Sequence, residues 1–262
     1  MRRPIFGLLL ATLLACIAPA LHAATAGSDV PVVAAAADLQ FALAEIATAF
    51  AKDTGRDVKL VFGSSGNFRR QIAEGAPFEV FLSADEAYVQ SLAREGRTRD
   101  EGVIYAVGRI ALVAATGSQL KLDGQLEGLR TALAQARIHR FAMANPEHAP
   151  YGRAARQALE HAGLWTPLQG KLVLGENVAQ AAQFALTPTV QGGIISFAQA
   201  RSATLEKRLA YALIPDDWHA PLRQRMVLLK NAGATAAAFY AYLLSPKARG
   251  VLTRYGFAVP VQ

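Results

Sequence analysis

Short apolar runs alternate along this chain with segments whose apolar residues recur every three or four positions. Residues 30–35 form the first run; beyond it Asp38 stands as the N-cap of a helix whose buried face is Leu39, Ala42, Leu43, Ile46 and Phe50. Residues 58–62 predict the next strand, and Gly63-Ser64-Ser65-Gly66 turns it into a helix carrying Phe68 and Ile72. Residues 80–82 then run into Ser83 and Glu86, which have capping-box spacing ahead of a helix ending near Gly96. Strands that alternate with helices in this way imply parallel βαβ units.

A long β-like stretch over residues 103–115 breaks the rhythm and marks a crossing between lobes. Units resume at 138–144 with 152–161, at 172–174 with 178–185, and at 193–197 with 198–203. Residues 226–229 read as a late strand able to cross back, and the Ala-rich segment 234–255 holds helices broken near Pro246. The pattern predicts two α/β lobes with a cleft between them. The boundaries assigned are 29–109 with 230–262 for the first lobe and 110–229 for the second.

Residues 1–26 stand apart. Arg2 and Arg3 precede an apolar run over 5–15, and small residues then allow cleavage after Ala23 or Ala26, the form of a secretory signal. The single cysteine, Cys16, ends a Leu13-Leu14-Ala15-Cys16 string similar to a lipobox, so a lipid anchor is the alternative fate. With 52% hydrophobic and 18% charged residues in 262, the remainder is a globular chain. Its formal charge of +7 falls to about +5 without Arg2 and Arg3, and the longest later basic stretch is Arg69-Arg70 with no interleaved aromatics. Nucleic acid is therefore not an expected partner.

Several strand-to-helix junctions carry small or hydroxyl residues: Ala37-Asp38-Leu39, Gly63-Ser64-Ser65-Gly66, Ala149-Pro150-Tyr151-Gly152 and Glu176-Asn177-Val178. Each exposes helix N-terminal amides, and converging junctions make an anion pocket. Taken singly, each is an ordinary cap. Enzyme signatures are absent: the serine loop is not a Gly-x-Ser-x-Gly elbow, and the chain has neither a Walker loop nor a dinucleotide fingerprint. His22, His139, His148, His161 and His219 lack paired ligand spacing and read as surface or cap residues, and Asp85-Glu86 reads as a charged first helical turn. An exported serine hydrolase with Ser65 and His148 stays open as an alternative. Its mark would be a general base within hydrogen-bond reach of Ser64 or Ser65.

Five ordered motifs then stand out: Phe62-Gly63-Ser64-Ser65-Gly66, Gln71-Ile72-Ala73-Glu74-Gly75-Ala76-Pro77, Phe81-Leu82-Ser83-Ala84-Asp85, Asn145-Pro146-Glu147-His148-Ala149-Pro150-Tyr151-Gly152 and Arg254-Tyr255-Gly256-Phe257. Together they resemble the periplasmic molybdate-binding proteins of bacterial ABC importers, over nearly the whole mature chain. The resemblance implies an α/β, two-lobed periplasmic binding protein fold with molybdate or tungstate in the interlobe cleft. It implies no catalysis and no cofactor, a monomer in the periplasm, and a membrane permease with its ATPase as partner. Its ligand positions fall on Asp38, Ser65 with Ser64 adjoining, Tyr151 and Val178. Some members place a tyrosine where this chain has Ser196, so the Tyr151 hydroxyl is expected to supply that donor. Asp38 departs from the usual serine or asparagine. A carboxylate there repels a dianion unless its oxygens turn to helix amides, or it accepts from a protonated oxyanion such as hydrogen phosphate or arsenate.

Overall fold

The computed structural model describes residues 30–260; the leader, its cleavage points and Cys16 lie outside the described residues. Two five-stranded sheets share the strands. The first is built from β1 (Val32–Ala36), β2 (Lys59–Gly63), β3 (Val80–Ser83), β4 (Val103–Gly108) and β10 (Leu222–Leu228), in the order β2-β1-β3-β10-β4. The second contains β5 (Ile110–Ala115), β6 (Phe141–Ala144), β7 (Leu172–Gly175), β8 (Gly192–Ser196) and β9 (Leu209–Leu213), in the order β7-β6-β8-β5-β9. Around β1 and around β6 the pairing is parallel, while β10 and β5 run antiparallel to both of their neighbours. Helices cover both faces of such sheets, which is why β3 and β6 are unbroken runs of buried residues, as is β1 after Val32, and none of them alternates.

The first sheet is flanked by α1 (Gln40–Thr54), α2 (Ser65–Ala73), α3 (Glu86–Arg94), α9 (Ala234–Leu243) and α10 (Pro246–Arg254). The second carries α4 (Glu127–Ala134), α5 (Pro150–His161), α6 (Trp165–Leu168), α7 (Val178–Ala185) and α8 (Phe197–Ala200). Ala36, Ala37 and Ala84 of the first lobe belong to the same buried cluster as Ile110, Phe141 and Tyr151 of the second, so the lobes meet tightly.

Three expectations need correction. The 103–115 stretch is two strands in different sheets, and the chain crosses between them at Arg109. It returns between Leu213 and Leu222, earlier than the expected 229/230 boundary, because Met226 and Val227 pair with Leu82 and Phe81 and fill the first lobe's core. Finally, α3 has Asp85 as its N-cap, accepting from Ala87 N–H at 2.9 Å, while Ser83 Oγ closes a turn on Asp85 and makes no capping box. The sequence reading placed neither β9, an edge strand with exposed Ala210 and Tyr211, nor α4, entered through Leu126 at φ 59°. Among the described residues no helix is long and apolar enough to cross a membrane.

Candidate functional site

The carboxyl ends of β1, β2, β3, β6 and β7 point into the cleft, the position where open α/β sheets place ligands. A small cavity of about 10 Å³ lies there, lined from the first lobe by Ala36, Ala37, Asp38, Gly63, Ser64, Ser65 and Ala84, and from the second by Ala149, Pro150, Tyr151, Asn177 and Val178. It is far smaller than the roughly 300–1,000 Å³ of pockets for drug-sized molecules, and leaves room for nothing larger than a small ion. No lysine or arginine lines it.

An account of the helix-start amides shows what the void offers. At α2, Gly66 N–H donates to the His148 carbonyl at 3.0 Å, Asn67 N–H to Ser64 Oγ at 3.4 Å, and Phe68 N–H to the Ser64 carbonyl at 3.1 Å. The Ser65 N–H is left over. At α5, Pro150 has no N–H, and Gly152 and Arg153 both donate to the Ala149 carbonyl, leaving Tyr151 N–H. At α7, Asn177 Oδ1 takes the amides of Ala179 and Gln180 and its carbonyl takes Ala181, leaving Val178 N–H. Among the described residues these three amides have no partner. Ser65 Oγ accepts from Ala84 N–H at 3.0 Å, so its own proton is free to donate. The result is a set of neutral donors from both lobes, aided by the helix starts, around a space for one anion.

Asp38 is not the N-cap of α1. It sits in a 3₁₀ turn, Ala37–Leu39, with 2% of its surface exposed. Oδ2 accepts from Tyr151 Oη at 2.9 Å and from Gln224 Nε2 at 2.6 Å, and the Gln224 Oε1 accepts from Tyr105 Oη at 2.6 Å. Oδ1 has no hydrogen-bond partner among the described residues. Burial lifts the carboxyl to about 6, against the bonds from Gln224 and Tyr151 and the nearby amides of Asp38 and Leu39, which favour its charged form. Burial, and then the Asp38 charge, push the phenols of Tyr151 and Tyr105 well above their usual value, so both stay protonated as donors. Oδ2 of Asp38 therefore turns to side chains of the opposite lobe and of β10, while the amides of Asp38 and Leu39 lie near the carboxyl.

The same network corrects the expectation for Tyr151. Its hydroxyl is spent on Asp38, so what it offers the void is its backbone N–H. Gly108, the last residue of β4, makes room for it: a Cβ there would lie 2.1 Å from Tyr151 Oη. Ser196 is not brought to the void either. It caps α8 by accepting from Gln199 N–H at 3.3 Å, and it is absent from the lining.

His148, expected at the surface or in a cap, packs against the start of α2 through Ser64 and Gly66. Ser64 Oγ donates to the His148 carbonyl at 2.7 Å and lies 3.0 Å from Nδ1, while Nε2 lies 3.5 Å from the exposed Glu176 carboxylate. A base is thus within reach of Ser64, the mark set for a hydrolase. Yet the Ser64 proton goes to a backbone carbonyl, and the residue is 4% exposed. At Gly66 a Cβ would lie 2.6 Å from the His148 oxygen, so only glycine allows this seam between the lobes. Arg153 adds a second seam by pairing with Asp85 and donating to Tyr88 Oη at 2.8 Å. A wider depression lined by Arg94, Arg99, Asp100, Glu101 and Lys230 belongs to the first lobe alone and presents exposed charges of both signs. Gln224 and Gly108 were missed by the sequence reading. Only Gln224 left a signal, as a polar residue on the inward face of β10 between buried Leu222 and Met226.

Residues 31–258 match the bacterial extracellular solute-binding protein family. The molybdate-binding protein ModA of Azotobacter vinelandii is 36% identical over 231 residues, 87% of this chain and 89% of that one. ModA of Rhodobacter capsulatus is 33% identical over 229 residues, 86% and 87% of the two chains. The solved structure of the Azotobacter vinelandii periplasmic molybdate-binding protein superposes with a TM-score of 0.80 at 30% identity, covering 89% of this chain and all of that one.

Proposed function

The chain belongs to the bacterial extracellular solute-binding protein family, and on that premise we propose that it captures molybdate, or tungstate, in the periplasm and delivers it to an ABC importer. One observation carries the ligand class: the amides of Ser65, Tyr151 and Val178 and the hydroxyl of Ser65 converge from both lobes on an ion-sized void without a basic side chain. Neutral dipoles suit a fully ionised anion, and when the lobes close over it each bond strengthens in the lower dielectric. Selectivity against sulfate follows from the size of the closed void, since a donor that fails to reach its oxygen forfeits about 1.5–3 kcal/mol. The importer reads the closed shape, with a permease and its ATPase as partners of a monomeric receptor. No cofactor and no bond-making enter.

Two observations favour second readings. The unpartnered Oδ1 of Asp38 offers an acceptor to a protonated oxyanion such as hydrogen phosphate or arsenate. The Ser64–His148–Glu176 contact offers a nucleophile with a base, and is disfavoured by the direction of the Ser64 proton. Thermal melting with molybdate, tungstate, sulfate, phosphate and arsenate in parallel separates the anions. A ligand at a hundredfold excess over Kd adds about 2.7 kcal/mol, or roughly 5–10 °C for a chain of this size. The proposal requires molybdate and tungstate to give the largest shifts. A larger shift with phosphate or arsenate would transfer the assignment, and turnover of a simple aryl ester lost in Ser64→Ala would revive the hydrolase.

A further inference from the structure

Asp38 lies against the void that the proposed anion fills, and its two oxygens are treated differently. Oδ2 already accepts two hydrogen bonds, from Tyr151 Oη and Gln224 Nε2. Oδ1 is buried, lacks any partner among the described residues, and belongs to a residue of the void's lining. An ionised carboxylate with one buried, unpartnered oxygen, on a residue that lines a cavity holding a dianion, is a costly state for this arrangement. A carboxylic acid with its proton on Oδ1 satisfies every atom: Oδ2 keeps its two donors, and Oδ1–H becomes a further donor to the anion.

We propose that Asp38 binds the oxyanion as a neutral acid, donating through Oδ1, so that each anion captured takes one proton into the closed site. This rests on the reading of the cleft as a molybdate site. The surroundings offer no competing charge. Tyr151 and Tyr105 are the titratable groups facing Asp38; α7 and α8, which pack on its turn, contain no ionisable residue. On α1 the charged residues Glu45, Lys52 and Asp53 are exposed, as is Lys59 of β2, and His148 lies across the void beside Ser64. Burial lifts Asp38 to about 6 even against the hydrogen bonds that favour its charged form, and a dianion beside it moves it further up. When the anion leaves, its charge no longer holds the proton on the carboxyl, so release of the anion and release of the proton go together.

Calorimetric titration of the purified protein with sodium molybdate at pH 7.5, in Tris and in HEPES, counts the protons through the difference in buffer ionisation heat. The wild type should take up close to one proton per molybdate, and its Kd should weaken about tenfold per pH unit between pH 7 and 8.5. Asp38→Asn, whose amide oxygen can keep the Tyr151 and Gln224 bonds while its N–H₂ replaces Oδ1–H, should bind with no uptake and a flat pH profile. His148→Gln should keep the uptake. Molybdate binding by the wild type with equal heats in both buffers and a flat Kd would overturn the inference and leave the molybdate reading intact. Uptake lost in His148→Gln and retained in Asp38→Asn would also overturn it. Absence of molybdate binding in every protein would remove the function itself.

Discussion

Gly108 sits where the chain leaves the first sheet, and substituting it by alanine tests whether the Asp38–Tyr151–Gln224 network holds the lobes together. The added Cβ would stand 2.1 Å from Tyr151 Oη and 3.0 Å from Gln224 Nε2, where non-bonded carbon contacts prefer about 3.5–4.0 Å. The hydroxyl must therefore retreat by more than an ångström. That breaks its 2.9 Å bond to Asp38 and the 3.1 Å bond it receives from Gln224. Two such bonds, one of them to a carboxyl group, are together worth about 2–4 kcal/mol, or roughly 30- to 1,000-fold in the Kd for molybdate. The backbone itself does not object, because Gly108 has no left-handed φ and alanine removes chain entropy from the unfolded state. The broken bonds belong to the ligand-free fold as well, so melting without ligand should fall too, by less than the full value of the bonds. Tyr151→Phe removes the clashing atom and leaves Cζ at 3.0 Å, so adding Gly108→Ala to it should cost less than about 1.5 kcal/mol more. Calorimetry on the wild type, both single variants and the double variant closes the cycle. Strict additivity, or wild-type affinity in Gly108→Ala, would show that the network does not support the bound state.

Ser65→Ala deletes a donor to the anion and the acceptor of Ala84 N–H, and should weaken molybdate about ten- to a hundredfold by titration, with ligand-free melting lowered by about 1 kcal/mol. Asp38→Asn should stabilise the ligand-free protein at neutral pH. The folded carboxyl titrates near 6 and the unfolded one near 3.8, so the folded state holds more protons in that window and wild-type stability falls as pH rises through it. The variant's advantage, up to about 3 kcal/mol, should thus be full above pH 6 and vanish below pH 4 in urea melts. Arg153→Ala cuts an ion pair whose side chains are about one-third exposed, and should change the molybdate Kd by less than about 1 kcal/mol, with the difference fading in high salt.

Much of this architecture is legible as pattern. Apolar runs closed by a hydroxyl or amide cap, as at Ser64 and Asn177, announce both a strand's end and a helix's open amides, and those junctions form the site. What escaped detection depends on contacts between distant segments. The run 226–229 reads as a strand able to cross back, but an apolar run carries no mark of the sheet it joins, so the lobe boundary fell after it and not before it. Asp38 looks like a cap because short acids before helices usually are. Only the approach of Tyr151, 113 residues away, and Gln224, 186 away, reveals a buried carboxyl with another task. Ser196 has the same cap signature as Ser64 and serves only as a cap, which local sequence cannot tell apart from a ligand position.

The claim at the centre of this account is that neutral donors from both lobes enclose one small dianion. Calorimetric titration with molybdate, set against sulfate under the same conditions, tests it most directly. The account predicts one molybdate per chain, sulfate bound far more weakly, and the same preference retained in high salt, since no lysine or arginine lines the void. Binding of sulfate as tightly as molybdate, or affinity that collapses with salt, would contradict it.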